Sequence, residues 1–310
     1  MTVAALVTRW LASGDLDLPL PGHGATRQRW QRLSDLTEKD VTAGRLAEAH
    51  ADAVAILAEL AGPAVAPDQW WGVWAAEAPD AVVSARAVDG GFRLDGTKAW
   101  CSGAGLCTHA LVTAGLADGT RGLFAVDIGS PGVRPLPSAW VATGMAQSDT
   151  RAVHFDDVTA APVGRPGEYL SRPGFWHGAV GVAACWLGGA RAVAAPLYRR
   201  AAGPHQLAHL GAVDAALFAA EAVLAEVAAE VDDDPSNHKG RAELLAHRAR
   251  AVAETAVEQA IGRTARALGP GPLCADADHA QRVADVSVYV RQSHAERDLE
   301  RLGTLAGERA

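Results

Sequence analysis

The residues with the clearest chemical content are Trp100 and Ser102, near the end of the stretch GFRLDGTKAWCSG at 91–103. An indole beside a small hydroxyl suits a wall for a flat heteroaromatic cofactor. The same indole suits a hydrophobic core, where strand aromatics are common. The stretch reads as strand, turn, strand. Phe92 and Leu94 alternate with Arg93 and Asp95, and Asp95-Gly96 is a tight-turn dipeptide. Trp100 and Ser102 are two apart and so share one face. His294, in QSHAERD, suits an ordinary helix surface beside Glu296 and Asp298.

The elements that must position these residues fall into three zones. Residues 1–66 are helical in pattern: Trp30, Leu33 and Leu36 form a short apolar stripe, and 41–61 is a long amphipathic run stopped by Gly62-Pro63. Residues 67–170 hold short β-prone runs such as AVVSARAV and GLFAVDI, separated by Gly, Pro and Asp. Their connections are too short for crossover helices, which predicts an antiparallel β domain. Residues 171–310 return to helical pattern in four or five long segments, the first rich in small residues and the last running over 279–303. Short loops between amphipathic helices predict an up-down four-helix bundle. The expected class is therefore a multi-domain α+β chain: a short helical region, a central antiparallel β domain and a C-terminal bundle.

Composition bounds the function. Of 310 residues, 49% are hydrophobic and 21% charged, as in globular chains. The net charge of -8, with no basic stripe, argues against nucleic-acid binding. Cys101, Cys107, Cys185 and Cys274 have neither metal-ligand spacing nor the density of a disulfide framework. The histidines are scattered, and no metal site is expected. A reducing compartment, the cytoplasm, is the simplest setting. The N-terminus lacks the basic and apolar regions of a signal peptide. No apolar run approaches ~18 residues, so no membrane span is expected.

DGTKAWCSG resembles the β-domain signature NGTKxWI(T/S)xG of the acyl-CoA dehydrogenase superfamily. The resemblance extends along the chain. WGVWAAEAPD at 71–80 is similar to the segment ending in TEPxAGSD, with Glu77 on its Glu and Ala76 in place of its Thr. The stretch from Pro131 to Val158 matches a further family block, with Gly144, Met145, Ser148, Thr150, Phe155 and Asp157 in place. Helices, β domain and bundle follow the family's order, with a shorter N-terminal domain. The resemblance implies FAD as cofactor, with Trp100 and Ser102 against the flavin ring and Glu77 in a loop beside it. Arg200 would meet the pyrophosphate, and Gly269 and Gly271 would form the turn that lets backbone approach FAD. A plain helix-ending loop reads equally well at Gly269-Pro270-Gly271-Pro272.

The family's activity, dehydrogenation of an acyl thioester at its α and β carbons, needs a carboxylate base. Counting eight residues from Asp285, where that base usually stands, gives Ser293. The alternative family position, near Gly174–Gly178, has no carboxylate. The last segment is closer to the RD…HA pattern of the flavin-dependent monooxygenases on the same fold, with His294-Ala295 on its His-Ala; the resemblance implies that His294 handles protons beside the flavin, a task an imidazole suits near neutral pH. The resemblance thus implies an acyl thioester as substrate, with a His294 monooxygenase and a catalytically degenerate homologue as alternatives. Glu296 is a stand-in for the base, although two residues from His294 on a helix lies another face. It also implies a homodimer or homotetramer, because FAD in this family sits across a subunit interface.

Overall fold

The computed structural model describes residues 1–308. Helices α1 (Val3–Ala12), α2 (Thr26–Lys39) and α3 (Val41–Glu59) come first. Strands β1 (Trp71–Trp74), β2 (Val83–Val88), β3 (Gly91–Cys101), β4 (His109–Gly115), β5 (Arg121–Asp127), β6 (Val133–Pro135) and β7 (Arg151–Pro162) follow. The chain then forms α4 (Glu168–Ser171), α5 (Pro173–Arg200), α6 (Pro204–Asp233), α7 (Ala242–Leu268), α8 (Gly271–Ala275), α9 (Ala277–Tyr289) and α10 (Glu296–Gly307). Two compact units result. One comprises 1–18, 46–141 and 146–175; the other comprises 19–45, 142–145 and the chain from 176 onward. The β region thus lies almost wholly in the first unit, and the N-terminal helical region is shared between both.

In the first unit the strands run in the order β1-β4-β2-β3-β7-β5, with β6 on β7, and β5 pairs again with β4 to close the sheet. Val112, Ala114, Phe124, Val126, Val153 and Phe155 share one core. The alternate residues Leu111, Leu123 and Ala125 pack with Ile56 and Leu57 of α3 in another. Period-2 alternation therefore leaves β4 and β5 buried on both faces. The expectation of a purely antiparallel sheet is corrected: β1 and β2 both pair with β4 in parallel. The intervening β2–β3 hairpin carries the chain across between β1 and β4, so no crossover helix is needed.

The reading of 91–103 as strand, turn, strand also changes. Gly91 to Cys101 is one strand, and the turn lies earlier, at Asp89-Gly90. Gly96 sits in a β-bulge instead, at φ 121°, where the register of β3 on β7 shifts between Leu94 and Gly96. A side chain there would lie 2.2 Å from the Val82 carbonyl, so only glycine fits.

In the second unit α6 packs along α7, α2 on α6, and α10 on α7. The small residues of α5 serve close contact, as expected: a Cβ on Gly188 would lie 2.1 Å from the Ser34 carbonyl of α2. Trp186 of α5 meets Tyr289 of α9 edge to face. More helices than four therefore make up this unit, and the last expected segment is broken. α9 ends at Tyr289, a short 3-10 turn covers 290–292, and α10 starts at Glu296. Ser293 is extended and Ala295 takes φ 48°, so the helix stops and restarts. Although α5 is long and apolar enough to cross a membrane, 83% of its most apolar window is buried inside the protein, as in a core helix. Cys101, Cys107 and Cys185 are buried, and Cys274 is exposed.

Candidate functional site

In the first unit, Trp100 is the extra residue of a second bulge. Lys98 pairs with Val153 and Cys101 with Arg151, so β3 spends three residues where β7 spends two. The inserted residue is left out of the ladder and adopts φ 59°, a left-handed conformation that costs a bulky side chain roughly 1–3 kcal/mol. Its indole is 61% exposed and stands edge to face with Trp140 at 6.5 Å. Regular strand alternation therefore does not relate Trp100 to Ser102, because the bulge intervenes and Ser102 lies in the turn that follows. The Ser102 hydroxyl is 3.0 Å from that of Thr150, which is 2.7 Å from that of Ser148. The Ser102 carbonyl accepts the Trp74 indole N–H at 3.0 Å. An exposed aromatic face held out by a strained bulge, beside a short chain of hydroxyls, fits a planar ring carrying polar edge atoms.

Glu77 anchors the loop after β1. Its Oε1 accepts from Lys98 Nζ at 2.9 Å and from the Thr113 hydroxyl at 2.9 Å, and Arg121 lies 3.5 Å from Oε2. Lys98 is only 1% exposed, whereas Glu77 keeps 42% of its side chain in solvent. Burial pushes the Glu77 carboxyl up, but Lys98, Thr113 and Arg121 outweigh it and hold it below the ordinary carboxylate range. The carboxylate thus neutralises a buried ammonium two residues from Trp100.

In the second unit Arg200 and Gly271 line one cavity of about 420 Å³ with Gln206, Leu268, Pro272 and Asp276. Gly269 closes α7 at φ 67°. Asp276 caps α9 by accepting the His279 N–H at 3.0 Å. His279 is 2% exposed; burial lowers its pKa, Asp276 opposes this, and Arg282, Arg200 and Arg199 lower it further. Arg200 in the cavity wall, with Arg199 and Arg282 close enough to act on His279, suits a phosphate group.

His294 lies in the break before α10, not on a helix, so the argument that Glu296 must face elsewhere no longer applies. The His294 side chain is 63% exposed, and its Nδ1 stands 3.3 Å from Asp298 Oδ1. Asp298 Oδ2 accepts the His294 backbone N–H at 3.1 Å. Burial pushes Asp298 up, but that N–H, Arg250 and the His294 ring outweigh it and hold the carboxyl below its usual range. Glu296 is exposed in the first turn of α10. At the position counted for the dehydrogenase base, the Ser293 hydroxyl donates to Glu254 Oε2 at 2.6 Å, and Arg291 lies 3.2 Å from the other Glu254 oxygen. Asp285, eight residues earlier, is buried. Its Oδ1 accepts from the Met145 backbone at 2.6 Å and from Gln281 at 2.8 Å.

In the first unit Trp100 and Ser102 lie on either side of Cys101; in the second, Arg200 and Gly271 line one cavity, while His294 precedes α10 and Glu296 stands in its first turn. Sequence reasoning missed Lys98 as the partner of Glu77, Thr150 as the partner of Ser102, and Trp140. Thr150 lies in the quoted family block, but nothing in the residue pattern pairs it with Ser102.

Comparison with known proteins agrees with this architecture. Residues 75–158 match the family model of the acyl-CoA dehydrogenase middle domain. Solved structures match over nearly all of this chain. TdsC from Paenibacillus sp. A11-2, in complex with FMN and indole, is 18% identical with a TM-score of 0.80, covering 99% of this chain and 96% of its own. A nitrososynthase from Micromonospora carbonacea var. africana is 16% identical with a TM-score of 0.80, covering 96% and 88%. A steroid ACAD is 21% identical with a TM-score of 0.75, covering 98% and 89%. No curated protein matches the sequence. The chain carries an acyl-CoA dehydrogenase middle domain within the acyl-CoA dehydrogenase fold.

Proposed function

We propose that this chain is a flavin-dependent oxidoreductase acting as a monooxygenase on a small organic molecule, with His294 handling protons. The observation that carries the reading is the absence of a free carboxylate where the dehydrogenase base belongs. Ser293 occupies that position, and the carboxylate it touches, Glu254, is shared with Arg291. The stretch 174–178 supplies none. His294 stands next to Ser293, exposed, with Asp298 fixing one ring nitrogen and the other left to a reactant. A bound flavin would supply the two-electron redox chemistry that no side chain can.

Trp100, Ser102 and Thr150 would hold the flavin ring, with Glu77 fixing the adjoining loop. Within the second unit, Arg200 would meet a phosphate group, as the resemblance implies, with Gly271 in the wall of the same cavity and Gly269 ending the helix before it. FMN and FAD both bring a phosphate to such a site. TdsC, of the same fold, was solved with FMN. Assembly as a homodimer or homotetramer follows from the resemblance.

Acyl-thioester dehydrogenation, with exposed Glu296 as base, is the second reading, favoured by the middle-domain match. One spectroscopic experiment separates the two. The monooxygenase reading expects flavin-loaded protein to consume oxygen when NAD(P)H and a flavin reductase are supplied, and to keep its yellow colour when mixed with acyl-CoA under nitrogen. Bleaching by acyl-CoA would overturn it in favour of the dehydrogenase. Chromatography of the released flavin distinguishes FMN from FAD.

A further inference from the structure

We propose that Trp140 is a positioning residue that fixes the plane of the Trp100 indole before any flavin arrives. The inference rests on the reading of Trp100 as a flavin contact. Burial does not fix that indole, since most of its surface faces solvent. The bulge fixes only the backbone, at φ 59°. The ring contact on Trp100 is Trp140, whose plane stands at 84° to it, the edge-to-face arrangement that aromatic quadrupoles favour.

Trp140 is itself well placed for this task. It is half-buried, and its backbone N–H donates to the Ser138 hydroxyl at 3.2 Å. The segment carrying it leaves β7's partner strand through the Leu136 N–H, which donates to the Ala152 carbonyl at 2.8 Å. Ala152 is two residues from Thr150, the hydroxyl partner of Ser102. Strand β7 therefore braces both the hydroxyl chain and the segment that bears Trp140. Aromatic side chains that are pre-ordered bind more tightly, because less freedom is lost on association.

The test uses 5-fluorotryptophan-labelled protein, with the Trp100 resonance assigned by Trp100→Phe. In ligand-free wild type, the Trp100 fluorine is expected to give one shifted resonance. In Trp140→Ala it should move toward the position of a freely rotating indole. In Trp140→Phe, which keeps an aromatic edge, it should stay near wild type. An unchanged Trp100 resonance in Trp140→Ala overturns the proposal, whether or not the protein binds flavin. Titration with FMN and FAD forms the second arm: Trp140→Ala should weaken binding roughly three- to tenfold and alter the visible circular dichroism of the bound flavin. Wild-type affinity and wild-type dichroism in that variant would also overturn it. Failure of the wild type itself to bind either flavin, with the fluorine shift intact, would instead remove the flavin reading and leave the aromatic pair standing.

Discussion

Trp100 and Ala295 are both non-glycine residues at positive φ, and each stands beside a candidate functional side chain. Their surroundings differ. Around Trp100, Lys98 and Cys101 are buried, Trp74 grips the next carbonyl, and Ser102 is tied to Thr150. Burial pushes the Cys101 thiol up to about 12, which marks how dry the strand is on that side. Around Ala295, the restraints are polar: Ser293 holds the Ala295 N–H at 3.1 Å and Asp298 holds that of His294. α10 itself has no fully buried residue. Backbone strain survives where its environment over-determines it. The bulge is over-determined by a closed barrel core, and the helix break by a few hydrogen bonds near solvent. The first should behave as a rigid platform and the second as a hinge that is cheaper to change.

The largest expected effect attacks the platform. Glu77→Ala leaves the Lys98 ammonium buried with only Thr113, and should cost roughly 3 kcal/mol in denaturant unfolding, the low end for a broken buried pair because Glu77 is part-exposed. Glu77→Gln with Lys98→Met should recover most of the loss. Because the folded-state pKa of Glu77 is depressed, its contribution is fully present above the ordinary carboxylate range. It should fade as pH falls through the lowered value, and a pH series on Glu77→Gln should lack that component.

Next comes Asp285→Ala, which orphans the Met145 N–H and should destabilise by about 1–3 kcal/mol. Asp285→Asn keeps an acceptor and should cost less. Burial raises the Asp285 pKa above its ordinary value, with the Met145 N–H, Gln281 and Thr42 lowering it and Asp40 raising it. Its share of stability is therefore present at low pH and declines as pH rises through the raised value, a slope that Asp285→Asn should remove.

Trp100→Gly sharpens the contrast. Relief of the left-handed conformation should raise stability by up to ~1 kcal/mol, partly offset by the lost ring contact, while flavin affinity falls at least tenfold. A loss of both stability and affinity would mean that the indole is a core residue.

The smallest structural effect is expected at the hinge. His294→Ala should change unfolding free energy by less than ~0.5 kcal/mol, because the side chain is exposed, yet lower turnover at least tenfold. Unchanged turnover would remove the proton-handling role.

Much of the fold was legible because local signals agreed with it. Gly62-Pro63 stops α3, and α6 and α7 are Ala-rich helices within the region read as helical. The β region was legible as strands but not as a topology. Parallel pairing of β1 with β4 depends on contacts across the barrel, which no local pattern encodes. The two bulges of β3 escaped for a related reason: Asp95-Gly96 satisfies the requirements of a turn and of a bulge alike. The break at Ser293 depends on Glu254 and Arg250, distant in sequence, but Ser293-x-x-Glu296 fits the pattern of a capping box and could have signalled a new helix start. Trp100 was legible through a motif. Trp140 was not, since an aromatic on an irregular segment carries no period.

The cysteines give the helical unit a practical handle. Three of the four thiols are sealed inside the protein, and Cys274 alone is exposed, on α8 between two residues of the wall that carries Arg200 and Gly271. A maleimide dye should therefore attach at one place, next to the arginine cavity. Its emission would report arrival of a phosphate-bearing molecule optically, without any assay of turnover.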